Sequence, residues 1–317
     1  MTQFNWKQTM DAYLALREAL GFSTHATRLL LQDFVGYLEQ HRLTPPARAQ
    51  WALDWACATS PQCGVSGQSA RLSIVRGFLT HLKASQPDTE VPSINLLPTP
   101  RRSQPYLFSA DELSRLLAAA AQLGPSGSLR PQTIQTLLGL MASTGLRPRE
   151  AINLSVTDVD LESDPPRLLI RETKFKKSRW VPIHQTSADR LRQYSALREQ
   201  LHYAGLSEIY FVSETGKKLD YSALLKTFHR LMRSLEISPH EGQRRPTLHS
   251  LRHTFAVGRL RAWYEAGADV RALAHHLSVY LGHFNPAASY WYLTATPELL
   301  GVAAGLFERY ADKGGSQ

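Results

Sequence analysis

Cysteine is scarce in this 317-residue chain: Cys57 and Cys63 are the only two. A small secreted scaffold held by bridges would carry more, so both are read as reduced. Without a cysteine cluster, a structural zinc site lacks its usual ligands. Long apolar runs are missing too, and none approaches the roughly 18 residues that a membrane span needs. The opening segment MTQFNWKQTMDAY has no apolar stretch of the secretory-signal kind. These absences make a cytoplasmic protein without membrane association the expectation. Two further absences concern chemistry. There is no G-x-x-x-x-G-K-[ST] loop for nucleotide phosphates. Nor is there an acidic cluster of the sort that holds paired metal ions in many nucleases. No cofactor and no metal is expected.

What the chain does have is positive charge. The formal net charge is +9, yet the first 100 residues carry eight Lys/Arg against seven Asp/Glu. Nearly all of the excess therefore lies further on, which suits a polyanionic partner such as DNA or RNA.

Apolar spacing divides the chain. Residues 1–86 read as four helices, carrying Met10, Tyr13 and Leu14, then Leu30, Phe34 and Leu38, then Trp51 and Trp55, then Ile74, Phe78 and Leu82. Residues 87–106 hold Pro87, Pro92, Pro98, Pro100 and Pro105 and read as a linker. Arg101 and Arg102 lie in it, where they can track a DNA backbone or stay solvated. A second domain, 107–317, opens with the capping box formed by Ser109 and Glu112. Within it, residues 168–172 and 179–184 read as a β-hairpin. From residue 186 the pattern is helical nearly to the end.

Four segments of the second domain carry candidate chemistry. In TGLRPRE, Gly145 ends a helix and Pro148 starts the next, leaving Arg147 at a helix N-terminus that favours an anion. Glu150 is placed to orient that arginine, which can fork onto two phosphate oxygens. The hairpin tip gathers Lys174, Lys176, Lys177 and Arg179, a candidate finger for a DNA groove. In HSLRHTFA, His249 and Arg252 share a helix face and pair a near-neutral titrating group with a fixed cation. His249 and His253 also have zinc-ligand spacing, but Ser250 stands where a glutamate base would be needed. Finally, LGHFNPAASYWY places His283 nine residues before Tyr292. Taken singly, each segment also has a plain reading as packing or solvated surface.

In their order and spacing the four segments resemble the tyrosine recombinases, also called phage integrases. The likeness covers residues 107–317, and the helical unit before them resembles that family's core-binding domain. The resemblance implies a mainly α fold with a small β-hairpin or sheet in an α+β catalytic domain. It implies catalytic roles for Arg147, Lys174, His249, Arg252, His283 and Tyr292, with Glu150 supporting Arg147. Relatives often have a glycine where this chain has Lys176, so Lys176 or Lys177 is an alternative to Lys174. Tyr292 would attack a DNA phosphorus to give a 3′-phosphotyrosine, with His249 as base and Lys174 as acid. Keeping the bond energy in that linkage requires neither ATP nor metal. The resemblance further implies duplex DNA with inverted-repeat sites as partner, and a tetramer on DNA. The apolar stripe Leu299, Leu300, Ala303, Leu306 and Phe307 would pack in cis or on a neighbouring copy. Two alternatives stay open: relaxation of DNA in the manner of a type IB topoisomerase, and a catalytically silent DNA-binding protein.

Overall fold

Four amphipathic helices build the N-terminal part: α1 (Trp6–Ala19), α2 (His25–Gln40), α3 (Ala49–Ala58) and α4 (Val65–Ser85). The computed structural model describes residues 4–58, 64–98, 104–171, 178–201, 207–239 and 243–282. By its contacts the chain forms two compact units, Met1–Arg102 and Ser103–Gln317. In the first, Met10, Tyr13 and Leu14 recur at helical spacing on α1, as do Leu31, Phe34, Val35 and Leu38 on α2. They close on Trp55, Val75, Phe78 and Leu79 to make a core of this unit's own. Each large apolar side chain buried there stabilises by about 1.5–3 kcal/mol relative to exposure. Arg71 on α4 lies 4.1 Å from the Trp55 ring centroid and donates to Asp33 of α2 at 2.7 Å. One cation thereby ties three helices together.

The proline-rich stretch 87–106 is engaged from both ends. Glu90 accepts from Arg48 at 2.7 Å, and Val91 and Leu97 pack on the first core. Gln104 forms a bridge with Gln243, and Tyr106 enters the core of the second unit. Arg101 and Arg102 lie outside the described residues.

The second unit begins with α5 (Ala110–Ala121). Its expected capping box is present: Ser109 Oγ accepts the Glu112 amide at 3.1 Å, and the Glu112 carboxylate accepts the Ser109 amide at 2.8 Å. Next come α6 (Arg130–Thr144) and the single turn α7 (Pro148–Ile152). A three-stranded antiparallel sheet follows, in order β1 (Val159–Asp160), β2 (Arg167–Ile170) and β3 (Arg179–Pro182). Leu168 pairs with Val181 and Ile170 with Arg179. Among the described residues, four helices follow: α8 (Gln185–Gln200), α9 (Tyr221–Ser234), α10 (Leu248–Glu265) and α11 (Val270–Leu281). The mainly helical fold with a small hairpin sheet is as the sequence led us to expect. One expectation is corrected: the helical pattern after residue 186 breaks at 207–219. There Ile209 bridges Ser155, Val212 bridges Lys218, and Tyr210, Phe211 and Val212 are buried. The run Tyr-Phe-Val favours extended chain through its aromatic and β-branched side chains.

Helix α6 is the central post of this unit. It packs against α5, α7, α8 and α10, and residues on most of its faces are buried. Helix α10 starts in the main core through Leu248 and Leu251. It continues into a smaller cluster with α11 through Ala256, Val257, Leu260 and Leu277. The C-terminal ends of α6 and α11 are thereby brought beside the start of α10.

Candidate active site

Both helices that end at this place end the same way. α6 stops at Gly145 (φ +65°) and α11 at Gly282 (φ +66°), each in the left-handed region that favours glycine. Close approach requires glycine as well. A Cβ on Gly145 would lie 2.6 Å from Phe255, and one on Gly282 would lie 2.7 Å from Arg179 Nη1. The chain can therefore turn sharply with Phe255 pressed against one helix end and Arg179 against the other.

Three arginines converge on the last turn of α11. Its carbonyls have no partner within the helix and form the negative end of its dipole. Arg179 Nε donates to the Tyr280 carbonyl at 2.9 Å. Arg252 Nη2 donates to Leu281 at 2.7 Å, and Arg147 Nη2 to Gly282 at 2.9 Å. Three successive carbonyls thus each take a different cation. Arg252 also donates to the Gly145 carbonyl at 2.7 Å, and it is almost wholly buried. Arg147 keeps about a third of its side chain open.

Glu150 stands between two of these arginines. Its Oε1 accepts from Arg147 Nη1 at 2.7 Å and from Arg179 Nη1 at 3.1 Å. Its Oε2 accepts from the Arg147 amide at 3.0 Å and from Arg179 Nη2 at 2.9 Å. Burial pushes this carboxyl up, but the hydrogen bonds and charges of Arg179 and Arg147 outweigh it. They hold Glu150 below the ordinary carboxylate value and keep it ionised. One carboxylate among three guanidinium groups leaves the cluster strongly positive.

His249, on the first turn of α10, stands at the rim of the cluster. Its side chain is exposed, yet it lies near enough to the arginines for its charged form to be disfavoured. Burial, then the charges of Arg252 and Arg147, lower its pKa to about 4, against an opposing pull from Glu150. The His253 ring lies one turn on, at 4.7 Å centroid to centroid and nearly perpendicular. Burial, His249, Arg252 and Arg244 hold it too at about 4. The α10 start is fixed by Ser250, whose Oγ accepts the Thr247 amide at 3.0 Å. A cavity of about 700 Å³ opens against Arg147 and Glu150, with Arg149, Asn153, Asp158 and Arg171 on its other walls. Among the described residues, no group of three His, Cys, Asp or Glu side chains gathers as a metal site would require.

Of the residues singled out in the sequence, the structure brings Arg147, Glu150, His249 and Arg252 together. Lys174, Lys176, Lys177, His283 and Tyr292 lie outside the described residues, as do the apolar stripe 299–307 and Cys63. Arg179, grouped from the sequence with the hairpin tip as a candidate finger for a DNA groove, is instead turned inward. Its side chain is only 13% exposed and is clasped by Glu150 and the Tyr280 carbonyl. Alternation along β3 carried the signal: Arg179 is two residues from Val181, hence on the same buried face. The tie from α11 back to the arginines was not read from sequence, because backbone carbonyls leave no mark in residue identity.

The model of the phage integrase family matches residues 107–298. A curated protein of Sinorhizobium fredii, described as putative integrase/recombinase y4rB, is 39% identical over 309 residues, covering 96% of this chain and 97% of its own. Among solved structures, the XerH site-specific recombinase bound to palindromic difH superposes with a TM-score of 0.68 at 18% identity, covering 96% of this chain and 85% of that one. The Tn1549 transposon integrase in complex with transposon right-end DNA gives 0.67 at 17% identity, covering 96% and 99%. At such identities the two structures speak for the fold.

Proposed function

We propose, starting from the fact that this chain belongs to the phage integrase family, that it is a tyrosine site-specific recombinase whose active centre is the arginine cluster at the end of α11. The observation that supports this most is the meeting of Arg147, His249 and Arg252, distant in sequence, around one positively charged site. A DNA phosphodiester is anionic, and attack on it crowds further charge onto the non-bridging oxygens. Preorganised cations stabilise that charge most strongly where water is excluded. Arg147 and Arg252 serve this role, and His283, directly after Gly282 in the sequence, adds a donor.

Tyr292 is the nucleophile. Its oxygen attacks phosphorus, its proton passes to His249, and the bond to the 5′ oxygen breaks. Lys174 protonates that oxygen, with Lys176 or Lys177 as the alternative donor in the same turn. The products are a 3′-phosphotyrosyl linkage and a 5′ hydroxyl. A 5′ hydroxyl of a second duplex reverses the step, so exchange proceeds without ATP, and EDTA leaves it unchanged. The substrate is duplex DNA with inverted-repeat sites. Exchange between two duplexes cuts four strands, which calls for four copies of the chain.

The test uses two linear duplexes carrying the sequences that flank the gene, one of them labelled. Joined products of recombinant length are expected with the wild type and not with Tyr292→Phe. Relaxation of supercoiled plasmid without site preference, and no joined product, would assign the chain to DNA relaxation instead. Binding without strand exchange would leave it a DNA-binding protein.

A further inference from the structure

We propose that Arg179 is a positioning residue for the strand-transfer reaction, holding Arg147 and the end of α11 in one fixed arrangement. The inference rests on the recombinase reading given above. Its basis is a closed ring of contacts. Arg147 donates to Glu150 (2.7 Å), and Glu150 accepts both Nη groups of Arg179 (3.1 and 2.9 Å). Arg179 Nε reaches the Tyr280 carbonyl (2.9 Å), and two residues on, the Gly282 carbonyl returns to Arg147 (2.9 Å). Strand β3, the α6–α7 turn and the α11 C-terminus are thus joined through one guanidinium. Tyr280 adds a second tie, its hydroxyl donating to the Pro182 carbonyl at 3.2 Å.

Geometry explains why the residue is an arginine. The planar fork covers both oxygens of Glu150 while Nε points along a third direction, and an ammonium cannot do this. Gly282 is part of the same design, since any side chain there would strike Arg179. Electrostatics gives a second function. Glu150 alone between Arg147 and solvent would protonate more readily, and Arg179 keeps it ionised. An ionised Glu150 holds the Arg147 fork at a constant angle to the site. Arg179 reaches the reacting phosphate only through Glu150 and Arg147, so it is not itself catalytic.

The test measures the rate of SDS-resistant adduct formation on a nicked duplex bearing the flanking inverted repeats, across pH 5–9. Wild type, Arg179→Met, Arg179→Lys, Glu150→Gln and the Arg179→Met/Glu150→Gln pair are compared. Both Arg179 variants are expected to lose roughly 10²-fold in rate, the scale of a 1 Å misplacement. Non-covalent DNA affinity, measured in a Tyr292→Phe background, should stay within about threefold, a shift too small to account for the rate loss. The acid limb of the rate profile should move to higher pH in Arg179→Met, because Glu150 then titrates, and should return in the pair to the lower position that the base His249 sets. The pair should be no slower than the worse single variant. Rates within threefold of wild type would overturn the proposal. So would a rate loss matched by an equal loss of DNA affinity, or an acid limb that does not move. Absence of an adduct with wild-type protein would instead defeat the recombinase reading, and this inference with it.

Discussion

A neutral imidazole among fixed cations is a weak base, and His249 is held in that state before DNA arrives. Its pKa of about 4 reflects first its crowding and then Arg252 and Arg147. A phosphodiester placed between those arginines weakens the local positive field, so basicity should rise when the base is needed. In NMR titrations of the Tyr292→Phe protein, the His249 ring should titrate near 4 alone and at least one unit higher with bound DNA. An unchanged value would remove His249 as the base. The same depression bears on stability. In the unfolded chain His249 and His253 take up protons near 6.5, whereas in the folded one they do so only near 4. Between those limits the unfolded state binds more protons, so stability falls as pH drops from about 6.5 to 4. Melting temperatures in this window should decline less steeply for His253→Asn than for wild type. The two histidines and Arg252 were legible in sequence through their spacing on one helix face. That His249 would be uncharged was not, since it follows first from burial, which packing between distant elements decides, and only then from Arg252 and Arg147.

At the scale of elements, the last turn of α11 does the organising. Its end carbonyls, without partners inside the helix, take Arg179, Arg252 and Arg147 in succession, and Gly282 leaves room for Arg179. Gly145→Ala places a side chain at φ +65° and drives its Cβ against Phe255 and Leu281. Unfolding in urea should show a loss of about 2–4 kcal/mol, combining left-handed strain with overpacking. A loss below about 0.5 kcal/mol would mean that the α6 turn is not held as described. In sequence Gly145 read as a helix end, from its place ahead of Pro148, which suits the next helix start. The alternation of β3 placed Arg179 beside Val181 on the inner face, yet a basic cluster at a hairpin reads more readily as a solvated tip. Charge patterning and strand periodicity disagreed there, and burial followed the periodicity. The break at 207–219 was hidden for a related reason. Four apolar residues, Ile209 to Val212, flanked by Glu208 and Ser213, look much alike in a short strand and in part of a helix.

At the scale of the whole molecule, the two units carry separate cores and an uneven charge. The N-terminal helices bury Trp55, Phe34, Phe78 and their neighbours without help from the second unit's cluster. A fragment spanning residues 1–98 should therefore be helical by circular dichroism and melt cooperatively. Phe78→Ala in it should cost about 3–5 kcal/mol. A fragment without a cooperative transition would contradict this division. Composition made the two-unit organisation legible, through the prolines of 87–106 and the excess of Lys and Arg beyond residue 100. That excess should make DNA affinity fall steeply with added salt, as released counterions require. The central claim is that one phenol, Tyr292, takes a DNA phosphate in a site built by Arg147, His249 and Arg252. Its most direct test is to trap the adduct on a nicked duplex, digest protein and DNA, and identify the modified peptide by mass spectrometry. The expected result is a nucleotide joined through its 3′ phosphate to Tyr292, formed equally well in EDTA. A nucleotide on any other residue would contradict the claim, as would a trapped complex that still forms with Tyr292→Phe.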